Sequence, residues 1–185
     1  MTVFRRTPAS AILPLMLILS GCVSGGQSGG MPAERASSPT KAMATLYDAA
    51  GKVSGKALFR QQGADVRVDL AVKGLTPGLH GAHVHMAGRC DGPDFKTAGG
   101  HWNPAGHQHG LNNPQGAHMG DMPNISVGEN GSGRLQYIIR GASLAGGLLD
   151  GDGAAMLVHA GPDDMVSDPA GNSGGRVLCG VIVRN

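Results

Sequence analysis

The clearest pattern in the chain is alternation. Val66, Val68, Leu70 and Val72 alternate with Asp65, Arg67 and Asp69. Successive side chains of an extended strand point to opposite faces, so this stretch offers one face to a core and the other to water. Apolar or alternating runs of similar length recur at 42–47, 52–60, 81–86, 124–127, 134–140, 154–159 and 177–183, separated by segments rich in Gly, Pro and Asn. Short strands at regular intervals, with no apolar periodicity of helical length among them, predict an all-β antiparallel sandwich or barrel.

The first forty residues do not share this pattern. Arg5 and Arg6 precede an apolar run at 11–19, which ends in Leu19-Ser20-Gly21-Cys22. The run is short for a membrane span, so residues 1–21 read as a cleaved export signal. Their ending resembles a bacterial lipoprotein signal, which implies that Cys22 takes a lipid and becomes the new N-terminus. Residues 22–40 are mostly Gly, Ser, Gln, Pro and Ala. Such a segment cannot bury a core and should act as a flexible tether with a reach of roughly 25 Å. Residues 41–185 remain, the size of one domain. The expected location is the periplasm or cell envelope, with a membrane as partner through the lipid on Cys22.

Composition adds little except by exclusion. Fifteen Lys and Arg against thirteen Asp and Glu leave a net charge of +2, and no basic stripe is visible, so nucleic acid is not an expected partner.

Histidine placement changes the picture. Seven of the eight histidines fall between residues 80 and 121, and imidazole is the commonest protein ligand for zinc and copper. His83 and His85 flank Val84, so on a strand both rings share one face while the valine faces the core. His101, His109, His118 and Asp121 lie in a Gly-, Pro- and Asn-rich segment that reads as a loop. Three imidazoles and a carboxylate make a tetrahedral shell suited to zinc. His83, His85 and His159 are only three, and a tetragonal nitrogen site suited to Cu(II) needs a fourth, so one ring has to be shared.

The motifs Gly81-x-His83-Val84-His85, His101-x-Asn103-Pro104, His109-Gly110, His118-x-Gly120-Asp121, Val158-His159 and Gly174-Gly175-Arg176-Val177-Leu178-Cys179-Gly180 together resemble the copper/zinc superoxide dismutase family. The resemblance runs from about residue 41 to the C-terminus. It implies an eight-stranded Greek-key barrel, immunoglobulin-like in its sandwich, with long metal-binding loops. It also implies copper on His83, His85, His101 and His159, and zinc on His101, His109, His118 and Asp121, with His101 shared.

Further roles follow from the same resemblance. His101 and Arg176 are the implied catalytic residues, Arg176 guiding the superoxide anion to copper. Asp163 is the implied bridge between His83 and His109, with Asp164 the nearest competitor for that role. Cys90 and Cys179 are the implied disulfide, which would close a loop worth roughly 4 kcal/mol on a chain-entropy account. A homodimer is compatible with the family, though sequence does not define an interface.

Other features have plainer readings. His80 falls outside the ligand pattern and is expected to be structural, and His107 is a rival to His109 that the family register passes over. The Gly171-x-Ser173-x-Gly175 pattern of hydrolases lacks the strand–turn–helix it requires. Methionines are expected to serve mostly in packing. A metal-buffering barrel without turnover is the alternative to the enzyme, and a wall or adhesion barrel would need no histidine cluster.

Overall fold

The computed structural model describes residues 38–185. The export signal, Cys22 and the tether as far as residue 37 lie outside the described residues. Ten strands make up nearly all the regular structure: β1 (Lys41–Tyr47), β2 (Val53–Gln62), β3 (Asp65–Lys73), β4 (Gly78–His80), β5 (Ala82–His85), β6 (Ile125–Val127), β7 (Ser132–Ile139), β8 (Ala155–His159), β9 (Arg176–Val181) and β10 (Val183–Arg184). Each of the eight runs predicted from sequence is present. The count rises to ten because β4, just before the run at 81–86, was not anticipated and the last run divides at Ile182. Two short helical turns, Lys96–Ala98 and Leu144–Leu148, were not anticipated.

The strands form one antiparallel sheet in the order β4-β6-β7-β3-β2-β1-β9-β8-β5, with β10 added to β1. Its two edge strands, β4 and β5, are consecutive in the chain and separated only by Gly81. The edges therefore come back to one point, and the sheet curls into a nearly closed Greek-key barrel with few strand edges left open. The alternation in β3 is realised as read: Val66, Val68, Leu70 and Val72 are buried while the residues between them are partly exposed. They pack with Leu46, Phe59, Val84, Ile125, Leu148, Met156 and Leu178 in a single core.

The barrel positions the histidines through its β5 edge. β5 pairs with β8 on one side, Ala82 opposite Val158 and His83 opposite Leu157. Its other side would be bare without the long loop that follows it. Met86 N–H donates to Gly100 O (3.0 Å), Trp102 N–H to Val84 O (2.8 Å) and Val84 N–H to Gly120 O (2.9 Å). The loop thus supplies the missing strand partner, and it sets His101 across from His85 and Asp121 across from His83. Val84 points into the core while both flanking rings are buried under the loop.

Cys90 and Cys179 form a disulfide, with Cα atoms 5.7 Å apart and a sequence separation of 89. It ties the loop to β9. Phe59 is fully buried at the centre of the core, and Phe59→Ala should cost about 3–5 kcal/mol, removing most of a small domain's margin. Urea denaturation of the metal-free protein, compared with wild type, checks this.

Candidate metal centre

Two sets of donors converge beside β5. In the first, His83, His85, His101 and His159 each offer one ring nitrogen, the four lying within 4.8 Å of one another. These atoms are His83 Nδ1, His85 Nε2, His101 Nε2 and His159 Nε2, all buried and without a hydrogen-bond partner. Buried polar atoms rarely go unpaired, so four together demand an explanation.

The far edge of each ring supplies it. His85 Nδ1–H donates to Gly99 O (2.9 Å) and His159 Nδ1–H to Gly174 O (3.1 Å). His83 Nε2–H donates to Asp163 Oδ2 (2.6 Å) and His101 Nδ1–H to Asp121 Oδ1 (2.8 Å). A carbonyl or carboxylate oxygen only accepts, so the nitrogen facing it carries the proton. The opposite nitrogen is then left as a lone pair, and all four lone pairs face one point. Burial keeps three of the rings neutral: it pushes the pKa from 6.5 down to about 3 for His83, about 2 for His85 and about 4 for His159. Neutral, aimed and unpaired nitrogens are what a metal ion requires.

The second set is His101, His109, His118 and Asp121. Asp121 Oδ1 lies 2.8 Å from His101 Nδ1, 3.1 Å from His109 Nδ1 and 3.4 Å from His118 Nδ1. The carboxylate is fixed from behind, where Oδ2 accepts Gly110 N–H (2.9 Å) and His118 N–H (3.0 Å). Burial opposes its charge, but the hydrogen bonds from His101 and His109 outweigh this and hold Asp121 well below the ordinary carboxylate range. His101 is common to both sets, with Nε2 in the first and Nδ1 in the second.

Asp163 joins the sets by a second route. Its Oδ2 faces His83 Nε2 and its Oδ1 faces His109 Nε2 (3.0 Å). Asn124 clamps its backbone from both sides, donating from Nδ2 to Asp163 O (2.8 Å) and accepting Asp163 N–H at Oδ1 (2.8 Å). Gly171 passes so close, at φ +62°, that a Cβ there would overlap Asp163 Oδ1. His109 is therefore flanked by two carboxylates; burial alone would lower its pKa, but the hydrogen bonds to Asp121 and Asp163 raise it from 6.5 to about 9.

The remaining residues sort themselves. Asp164 is exposed and accepts the Val166 and Ser167 amides of its own turn. His107 is exposed and turned to Ala117 O, outside both sets. His80 is buried with Nδ1 2.7 Å from His159 O and Nε2 2.9 Å from Thr76 O, a brace for the backbone. Ser173 is buried in a loop with its hydroxyl donated to Ala170 O (3.0 Å). The contributions of Asn124 and of the Gly99 and Gly174 carbonyls carry no local sequence signal. The close approach of Gly171 to Asp163 was likewise not anticipated, its glycine-rich stretch having been weighed only against the hydrolase pattern.

A cavity of about 530 Å³ opens over the first set, lined among others by His85, His101, His159, Asn103 and Arg176. Arg176 donates from Nη1 to Phe95 O (2.7 Å) and from Nη2 to Gly99 O (2.6 Å). It forms no ion pair with a carboxylate among the described residues, and the nearby Asp94 favours its charge only through space. Burial lowers its pKa, yet a guanidinium stays protonated. A groove of about 660 Å³ on the barrel wall, with Lys56, Lys73 and Arg134 at its rim, has no such donors.

Comparison with known proteins matches this arrangement. The family profile of copper/zinc superoxide dismutase (SODC) covers residues 53–182. The chain belongs to the copper/zinc superoxide dismutase family. It is 46% identical over 147 residues to Superoxide dismutase [Cu-Zn] 2 of Aquifex aeolicus, spanning 77% of this chain and 86% of that one. It is 41% identical to Superoxide dismutase [Cu-Zn] of Deinococcus radiodurans, spanning 96% and 97%. A crystal structure of a SOD-like protein from Bacillus subtilis superposes with a TM-score of 0.73 at 34% identity, covering 76% of this chain and 97% of that one. The family uses copper and zinc, and the two donor sets have the chemistry for both.

The doubly flanked His109 gives a pH prediction. In the metal-free protein its folded pKa of about 9 exceeds the ordinary 6.5, so it stabilises the fold fully below pH 6.5, and that contribution disappears as pH rises through about 9. A cation using Nδ1 must displace that proton. Calorimetric titration of zinc in buffers of different ionisation enthalpy should show about one proton released per zinc from this ring near pH 7. Apparent affinity should rise with pH up to about 9; a flat profile would contradict the assignment.

Proposed function

We propose that the protein converts superoxide to dioxygen and hydrogen peroxide, with copper held by His83, His85, His101 and His159 and zinc by His101, His109, His118 and Asp121. The observation that carries this reading is the set of four buried, unpaired ring nitrogens whose tautomers are fixed by carbonyl and carboxylate partners. Four nitrogens suit Cu(II), and three imidazoles with one carboxylate suit zinc. Copper in the first set supplies a one-electron carrier between Cu(II) and Cu(I), while zinc supplies a fixed charge with no redox role.

The chain's own residues then divide the work. Arg176 gives the cavity a positive potential, raising the encounter rate of a small anion, a steering effect for which this enzyme family is itself a standard example. The Phe95 and Gly99 carbonyls hold the guanidinium in place. His101 faces both sets and lines the cavity, so its Nε2 would be the atom that holds a proton and delivers it to the reduced oxygen. Nδ1 of the same ring faces the second set, beside Asp121. Two superoxides and two protons thereby yield one dioxygen and one hydrogen peroxide. Asp163 keeps His83 and His109 in register, and its removal would loosen both sites together.

The name of the Bacillus subtilis relative, SOD-like, keeps the metal-buffering barrel in view as a second reading. A buffer has no need of a cation fixed at the cavity, and this chain has one in Arg176.

Metal analysis and a superoxide-consumption assay test the reading. Wild type should hold copper and zinc and consume superoxide, while His101→Ala should bind less of both and lose nearly all activity. Arg176→Ala should keep its metals but lose roughly tenfold in kcat/KM, and its rate should depend less on ionic strength. Equal activity in wild type and His101→Ala would refute the mechanism.

The protein is further proposed to work at the cell envelope, held to a membrane by lipid on Cys22 and released to reach its substrate by the tether of residues 22–40. The signal-like ending Leu19-Ser20-Gly21-Cys22 supports this. Fractionation of cells expressing Cys22→Ser should move the protein from the membrane pellet to the soluble envelope fraction; an unchanged distribution would count against the anchor.

A further inference from the structure

Met86 stands directly after His85, at the point where the chain leaves β5. It is 49% exposed, as are Leu79, Val166 and Val183 to a similar degree, but unlike them it lines the same cavity as His85, His101, His159 and Arg176. It is the one sulfur among the side chains lining that cavity. Of the other methionines near the site, Met122 and Met156 are fully buried and Met119 packs against the core.

The position of the thioether is specific. A Cβ built on Gly99 would lie 2.8 Å from Met86 Cγ and 3.4 Å from its Sδ, and one on Gly100 would lie 4.0 Å from Sδ. The side chain is therefore laid along the two glycines that lead into His101. Gly99 is also the residue whose carbonyl holds His85 and Arg176. Any side chain at Gly99 would push the sulfur away. An exposed thioether adds little to stability, because its surface remains in water.

Thioether sulfur is a soft donor that favours Cu(I) over zinc or Cu(II). We propose that Met86 is an entry ligand for cuprous ion: it captures Cu(I) at the cavity mouth and passes it to the unpaired nitrogens of His85, His101 and His159. The step exchanges ligands only and transfers no electron. It would also sort metals at the entrance, since zinc gains little from sulfur of this kind and finds its carboxylate at Asp121 instead. This inference rests on the copper assignment made above.

The test uses the full chain, loaded with zinc and free of copper. Cu(I) is supplied anaerobically as its bicinchoninate complex, and transfer is followed by loss of the chelate's colour. Met86→Leu keeps volume and apolar character. It should slow transfer about tenfold, the order expected when a supporting contact to a metal is removed. Final copper content and zinc retention should be unchanged, and uptake of Cu(II) from a glycine complex should proceed at the wild-type rate. Equal Cu(I) rates in the two proteins would overturn the proposal alone, as would an equal slowing of Cu(II) uptake. Failure of wild type to take up copper in either form would overturn the copper assignment and the proposal with it.

Discussion

The metal centre depends on one constraint: each histidine of the first donor set is held by the edge that does not face the metal position. Gly99 O, Gly174 O, Asp121 and Asp163 each take the proton of one ring, and the lone pair is thereby left on the other side. A free imidazole exchanges tautomers and rotates, so four unrestrained rings would rarely present four lone pairs together. Here the choice is made before any ion arrives, and the ordering cost falls on folding rather than on binding. The barrel's stability is what sustains the arrangement.

That explains why the donors are distributed as they are. His83 and His85 come from an edge strand, His159 from the strand beside it, and His101 and Asp121 from a loop that completes the same edge through backbone hydrogen bonds. Each of these five sits on backbone that is itself paired. A loop held only by its side chains would let the rings drift, and small displacements weaken coordination steeply. The Cys90–Cys179 link adds a covalent tie between this loop and β9, the strand that begins with Arg176.

Much of this was legible in the sequence, for physical reasons that differ by element. The strands could be read because alternation is a local consequence of a two-sided sheet, and β3 shows it residue by residue. The ligands could be read because histidines clustered in a glycine-rich segment have no packing purpose. What could not be read was set by contacts across long separations. Asn124 looks like a residue before a strand, yet it clamps Asp163 from 39 positions away. The unpredicted β4, just before the run read at 81–86, likewise depends on a distant neighbour: it pairs with β6, whereas β5 pairs with β8. The choice of ring nitrogen depends on carbonyls, which every residue carries and which therefore leave no trace in composition.

Gly99 O shows how closely positioning and electrostatics are coupled. It accepts from His85 Nδ1 at 2.9 Å and from Arg176 Nη2 at 2.6 Å, using both of its lone-pair directions. The guanidinium polarises this carbonyl, which makes it a weaker acceptor for the ring than it would otherwise be; the ring in turn limits how far the guanidinium can move. A cation placed freely over the cavity would attract anions but could also repel the incoming metal, and burial pushes His85 further toward neutrality with the Arg176 charge adding in the same direction. Fixing both groups on one oxygen settles their separation, so the field that draws the substrate and the lone pair that awaits the ion are set by the same atom.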